Sequence, residues 1–177
     1  MSGESLGFAA RWSRSVWSMT VGVFALVVVT EVLLVRAACG ACEGEPRQML
    51  AGLTVLLSVG IFGSVAWFAP WGYVVRPDAI VVSRLGPPLV IAYDRIREVR
   101  RTDSREIGFA WRVFGSGGFL GWFGAFRSRR LGEFRAYATN RRDLVLITKT
   151  NGAKIVISPH PPDAFLDAVQ KHRERPA

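Results

Sequence analysis

Two apolar stretches dominate the front of the chain. Residues 16–35 are broken only by small or hydroxyl residues and by Glu31, and residues 50–69 carry no charge at all. At about 1.5 Å per helical residue, each run of 20 can cross a bilayer core of about 30 Å. Two such runs in tandem, joined by a short polar loop, predict a membrane helical hairpin rather than a pair of core helices.

After residue 69 the pattern changes to short apolar runs separated by turn residues. Extended segments are predicted at 73–76, 79–84, 89–93, 96–101, 107–114, 134–138, 144–149 and 153–158. The last two flank Thr150-Asn151-Gly152, and Asn-Gly between β-rich runs marks a hairpin. In the final run Ala153, Ile155 and Ile157 alternate with Lys154, Val156 and Ser158, the period of a strand packed on one face. Prolines and Asp163 then introduce Ala164, Phe165, Leu166, Ala168 and Val169 at helical spacing. Lys171, His172 and Arg173 close that run, which predicts a helix over about 162–172.

Details of the hairpin refine its placement. Trp12 and Trp17 at the start of the first span, with Trp67, Trp71 and Tyr73 at the end of the second, suggest an aromatic belt in one leaflet. Gly60 and Ser64 form a small-xxx-small pair suited to close helix approach. Glu31 is close enough to the helix end at Arg36 to reach the interface, so a structural role is favoured over that of an intramembrane functional carboxylate. Arg11, Arg14, Arg76 and Arg84 oppose Arg36 and Arg47, which orients both termini to the cytoplasm. The expected plan is a cytoplasmic tail at 1–15, spans at 16–35 and 50–69, an extracytoplasmic loop at 36–49 and a β domain at 70–177. A cleaved signal peptide ending at Cys39 fits less well: the apolar run is too long, and Arg36 stands where an aliphatic residue belongs.

Charge adds a second asymmetry. The 177 residues carry 23 Lys and Arg against 14 Asp and Glu, a net +9. Residues 1–69 are balanced, so the whole excess falls in the β domain. The length excludes a multidomain enzyme, and two Cys with two His exclude a disulfide-stapled scaffold or a Cys/His zinc cage. No metal or cofactor is expected.

Two spans followed by strands ending in Lys154-Ile-Val-Ile-Ser158-Pro159, then Pro162-Asp163 and Phe165, resemble the bacterial PH-like (pleckstrin-homology-like) domain family of small membrane proteins. The stretch from Gly115 to Gly124, Leu131-Gly132 and Tyr137-Ala138-Thr139 share in that resemblance, which covers roughly residues 71–172. It implies a mainly-β PH-like barrel of two bent antiparallel sheets, about seven strands, plugged at one end by a C-terminal α-helix. It implies no catalytic activity. The phosphoinositide site of eukaryotic PH domains has no residue-by-residue counterpart here.

Few motifs carry chemistry. Cys39-Gly40-Ala41-Cys42 is a CxxC without a βαβ context, for which a plain disulfide in an outward loop is the simpler reading and a thiol-redox pair the sharper one. The segment from Gly115 to Gly124 lacks the third glycine of a dinucleotide loop and is followed by no Gly-Lys-Ser/Thr. It reads either as a flexible turn or as an apolar tip, Phe119, Leu120, Trp122 and Phe123, dipping into the bilayer interface. Arg127, Arg129, Arg130 and Arg135 follow that tip, and Arg95, Arg97, Arg100 and Arg101 form an earlier cluster. Arg forks suit phosphate oxygens, so anionic lipid contact is weighed against ordinary solvated or topological charge. The pI near 10.7 also permits nucleic-acid contact, yet no recognised nucleic-acid-binding motif accompanies it. His160 and His172 read as structural or exposed residues. The resulting expectation is a membrane-anchored binding or assembly module at the inner face of a bacterial membrane, contacting anionic lipid or a protein partner. The alternatives are an extracytoplasmic thiol-redox protein and a membrane-tethered regulator touching nucleic acid.

Overall fold

A computed structural model of the chain describes residues 5–40 and 45–174. Helices α1 (Arg14–Gly40) and α2 (Glu45–Phe68) form the expected hairpin, and both run past the loop-side ends of the apolar stretches. Continuing each helix keeps its backbone polar groups paired. Each helix holds a segment long and apolar enough to cross a membrane, and neither segment is covered by the rest of the fold. Cys42 of the possible Cys39–Cys42 disulfide lies outside the described residues.

The seam between the helices is polar at one point. Thr20, Val23, Val27 and Glu31 of α1 are half-buried, as are Thr54, Ser58, Phe62 and Val65 of α2, at helical spacing. The Glu31 carboxylate accepts hydrogen bonds from Ser58 Oγ at 2.7 Å and Thr54 Oγ1 at 3.1 Å. Glu31 therefore turns toward its partner helix instead of reaching for the interface. Gly60 and Ser64 are exposed and take no part in the seam, which hydroxyls and a Phe occupy instead.

A strand that periodicity did not predict precedes the first span. Strand β1 (Leu6–Ala9) pairs antiparallel with β2 (Pro70–Val75), Leu6 opposite Val75 and Ala9 opposite Gly72. Strands β3 (Ala79–Arg84) and β4 (Leu89–Ala92) complete an antiparallel sheet of order β1-β2-β3-β4. The tail is fixed further by Thr139, whose hydroxyl donates to the Arg11 carbonyl at 2.9 Å and whose own carbonyl accepts from the Ser13 amide at 3.1 Å. Phe8 packs edge-on against Phe165 at 5.2 Å between ring centres. Tail and domain thus form one body, and both lie on the same side of the hairpin.

The second sheet has six strands: β5 (Ile96–Thr102), β6 (Ala110–Gly118), β7 (Gly121–Ser128), β8 (Gly132–Ala138), β9 (Leu144–Lys149) and β10 (Lys154–Ile157). Their order is β5-β9-β10-β8-β7-β6, and β8 runs parallel to β10 while every other pair is antiparallel. Between β5 and β6, Asp103 caps a one-turn helix α3 (Ser104–Ile107), its carboxylate accepting from the Glu106 amide at 2.7 Å. That turn moves the start of β6 beyond the predicted position. Helix α4 (Pro162–Arg173) buries Phe165, Ala168 and Val169 against the open end of the barrel.

The described residues thus hold ten strands, where the sequence pattern predicted eight and the family resemblance implied about seven. The additions are the tail strand β1 and the hairpin partner β7, whose glycines mask its strand character. Tyr73, Ile80, Val82 and Ile91 meet Val145, Ile147, Ile155 and Ile157 in the core between the sheets. Tyr73 is fully buried there and does not belong to the aromatic belt, although Trp12 and Trp71 do sit side by side with ring centres 6.4 Å apart. Its hydroxyl donates to the Tyr137 carbonyl at 2.6 Å, and burial pushes its pKa up to about 12. Around it Ser158 Oγ accepts from the Thr139 and Asn140 amides at 2.8 and 3.2 Å, tying β8 to β10 beyond the last ladder bond.

Candidate functional site

The glycine-rich stretch is a regular β-hairpin, not a flexible turn. Gly115 on β6 stands opposite Gly124 on β7 with both residues at positive φ, +108° and +119°. A Cβ on Gly115 would lie 2.1 Å from the Phe123 carbonyl oxygen, and one on Gly124 would lie 2.2 Å from that of Phe114. Only two glycines allow the strands to approach this closely. The hairpin turns at Phe119 and Leu120, where Leu120 adopts φ 56°.

This turn reaches the spans. The Leu120 amide donates to Thr20 Oγ1 at 3.0 Å, and the Phe119 ring lies 5.2 Å from that of Phe62 on α2. Gly118 lies against Met19 of α1, so closely that a Cβ would meet the sulfur at 2.4 Å. The hairpin tip therefore contacts both helices within their apolar segments.

The candidate contact residues part company on folding. Phe119 rests on the spans; Trp122 is half-buried beneath the Arg141 guanidinium, 5.2 Å from its ring centre; Phe123 is 4% exposed and belongs to the barrel core. Arg127 and Arg135 extend from β7 and β8, and Arg129 occupies the turn between those strands, all three exposed. Arg130, also exposed, donates to the Arg105 carbonyl at 2.6 Å.

Pairing register adds residues that sequence reasoning passed over. Trp111 lies opposite Arg127, and Phe114 opposite Ala125, which in turn faces Arg135. One sheet face consequently displays Trp111, Phe114, Arg127 and Arg135, with Trp111 67% and Phe114 77% exposed. Phe109 and Val113 are equally uncovered, and Phe109 packs edge-on against Trp111 at 5.2 Å. Apolar residues at alternate positions within 109–113 were the available signal, but alternation does not reveal whether the apolar side is covered.

Electrostatics separates the two arginine groups. Arg100 pairs with Glu106 and Glu98, and Arg101 binds Asp163 at 2.8 Å. The Arg100 pairing, helped by a hydrogen bond from Thr102, holds the Glu106 carboxyl down at about 2. By contrast, Arg127 has only Glu133, at 3.9 Å, and among the described residues Arg129, Arg130 and Arg135 have no carboxylate within 4.0 Å. The excess positive charge thus stands beside the exposed aromatics, while the earlier cluster is neutralised in part by its own fold. No three His, Cys, Asp or Glu side chains come together as a metal site among the described residues. His160 serves as a brace: its Nε2 accepts from Arg11 Nη1 at 3.0 Å, which leaves Nδ1–H to face Asp143 at 3.3 Å.

Two sheets of four and six strands, left open and plugged by a C-terminal helix, define a PH-like domain carried by two apolar helices. The family model of the bacterial PH domain matches residues 71–173, and the chain belongs to that family. Strand β1 lies outside the matched region, although it pairs with the domain's first strand. No curated protein and no solved structure matches this chain.

Proposed function

We propose that the chain is a membrane-anchored PH-like binding module, not an enzyme, held at the inner face of a bacterial membrane. Its exposed face, Trp111, Phe114, Arg127, Arg129, Arg130 and Arg135, lies on anionic lipid of that same membrane. The observation that carries this reading is the contact of the hairpin tip with Thr20 and Phe62, which ties the aromatic and basic strands to the anchor. Aromatic rings favour the headgroup boundary, and each cation near anionic lipid contributes about 1 kcal/mol. The cytoplasmic orientation follows from the arginines at the span ends, and tail and domain share a side because β1 pairs with β2.

A nitroxide at position 114 tests the proposal in the full chain, using Phe114→Cys with Cys39→Ser and Cys42→Ser, in nanodiscs. With phosphatidylglycerol present, the label should be oxygen-accessible and shielded from an aqueous nickel relaxant; Gln at Arg127, Arg129, Arg130 and Arg135 should reverse this. A label equally open to water in every disc would refute the lipid contact. The second reading, a protein partner, is favoured by one observation: β6 ends its sheet, so one side of its backbone is free to pair with an added strand.

A further inference from the structure

The six-stranded sheet has a second apolar face, turned away from the barrel core. Phe126, Phe134, Ala136, Leu144 and Val156 gather there with Ile107, so β9, β10 and the end of β8 (Ala136–Ala138) are buried on both sides. Val156, which alternation placed on the less apolar side of its strand, is 2% exposed. This face is not filled. A half-open pocket of about 530 Å³ lies against it, the size of a small-molecule site.

Two features say what could occupy it. Met19 of α1 forms part of the wall, so the cavity borders the membrane helix at the level of the hairpin tip. Arg112 and Arg141 also line it, and neither has a carboxylate within 4.0 Å among the described residues. The two arginines stand over one rung of the hairpin. Gly117 is opposite Trp122; Arg112 Nη1 lies 3.6 Å from where a Gly117 Cβ would be, and the Arg141 guanidinium covers the Trp122 ring. Both guanidiniums are exposed at the rim, where an anionic headgroup would meet them. A small soluble anion would leave the apolar wall wet.

We propose that this cavity takes one acyl chain of an anionic phospholipid from the adjoining bilayer, with its phosphate between Arg112 and Arg141. The inference rests on the membrane-anchored reading above, but it uses different residues from the Trp111 and Arg127 face. Lipid held this way is bound individually, whereas the exposed face needs only a charged surface.

The test uses the full chain in phosphatidylcholine nanodiscs doped with phosphatidylglycerol carrying a nitroxide near the end of one chain. Electron paramagnetic resonance then reads the motionally restricted fraction. Wild-type protein should favour labelled phosphatidylglycerol over labelled phosphatidylcholine by roughly thirtyfold, the expectation for two cations facing a headgroup of net negative charge, which the choline cation cancels in phosphatidylcholine. Ala110→Trp, which fills the cavity from β6, should lower the restricted fraction to that of lipid merely bordering the helices. Arg112→Gln with Arg141→Gln should abolish the preference. Gln at Arg127, Arg129, Arg130 and Arg135 should lower it by less than the Arg112 and Arg141 pair does. A restricted phosphatidylglycerol signal that survives Ala110→Trp in a folded protein overturns the proposal, as does a preference that survives the double arginine variant. Should Ala110→Trp fail to fold, the arginine variant decides alone. Failure here with the position 114 label still shielded would leave the surface reading standing, and the reverse pattern would remove that reading only.

Discussion

Replacing Gly124 by alanine isolates the close approach that brings β6 and β7 together. Its φ of +119° is a conformation that side chains with a Cβ rarely adopt, which costs about 1–3 kcal/mol. The new Cβ would also lie 2.2 Å from the Phe114 carbonyl oxygen and 2.8 Å from Gly115 Cα. Both are backbone atoms, so rotating a side chain brings no relief. Forcing the strands apart adds about 1–3 kcal/mol by analogy with overpacked cores, for a total of about 2–6 kcal/mol. Gly132→Ala is the control: its φ is +75° with nothing within 4 Å of the Cβ position, so strain alone applies, partly offset by a stiffer unfolded chain. In the detergent-solubilised full chain, Gly124→Ala should lower the thermal midpoint by at least about 5 °C, and Gly132→Ala by clearly less. Hydrogen exchange should speed up across residues 110–128 in the first variant only. Equal shifts for the two alanines would show that the Gly115–Gly124 contact does not hold the hairpin, and the placement of its tip on Thr20 and Phe62 would lose its support.

Other perturbations probe the frame around the site. Ser158→Ala leaves the buried Thr139 and Asn140 amides without their shared acceptor, and chemical denaturation should report a loss of about 1–3 kcal/mol. Glu106 has its pKa depressed in the folded state, so its stabilisation is present above the ordinary value of 4.5 and fades as the pH falls toward about 2. Because that carboxylate is 42% exposed, the effect should be about 0.5–1 kcal/mol, and Glu106→Gln should flatten denaturation midpoints compared across that window. Deleting residues 1–10 removes β1 and uncovers Phe165 and the edge of β2; amide exchange in β2 and α4 should accelerate, and unchanged protection would refute a structural role for the tail.

The parts of this molecule legible in its sequence are those governed by local physics. The two apolar helices declare themselves because length and hydropathy alone mark them as able to cross a membrane, and Ala79–Arg84 and Leu144–Lys149 match their predicted ranges because their patterns are bounded by turn residues. Helix α4 was visible through its prolines and basic end. The glycine-rich strand β7 was not, because glycine weakens strand propensity wherever it occurs, and only the pairing of Gly115 with Gly124 turns that weakness into a requirement. The candidate site was half legible: the arginines stand out in the sequence, but whether each meets a carboxylate, as Arg101 does and, among the described residues, Arg135 does not, depends on residues distant along the chain.

The order of spans, strands and closing helix was thus determined by the sequence acting over short distances, through burial, backbone pairing and turn geometry. Tertiary structure alone decided that a tail ahead of the first span would complete the sheet behind the second, that Phe123 would turn inward while Trp111 and Phe114 remained uncovered, and that an unfilled apolar face would open beside α1. Each of these depends on which distant segments meet, and periodicity shows that a residue has an apolar side without showing what, if anything, will cover it.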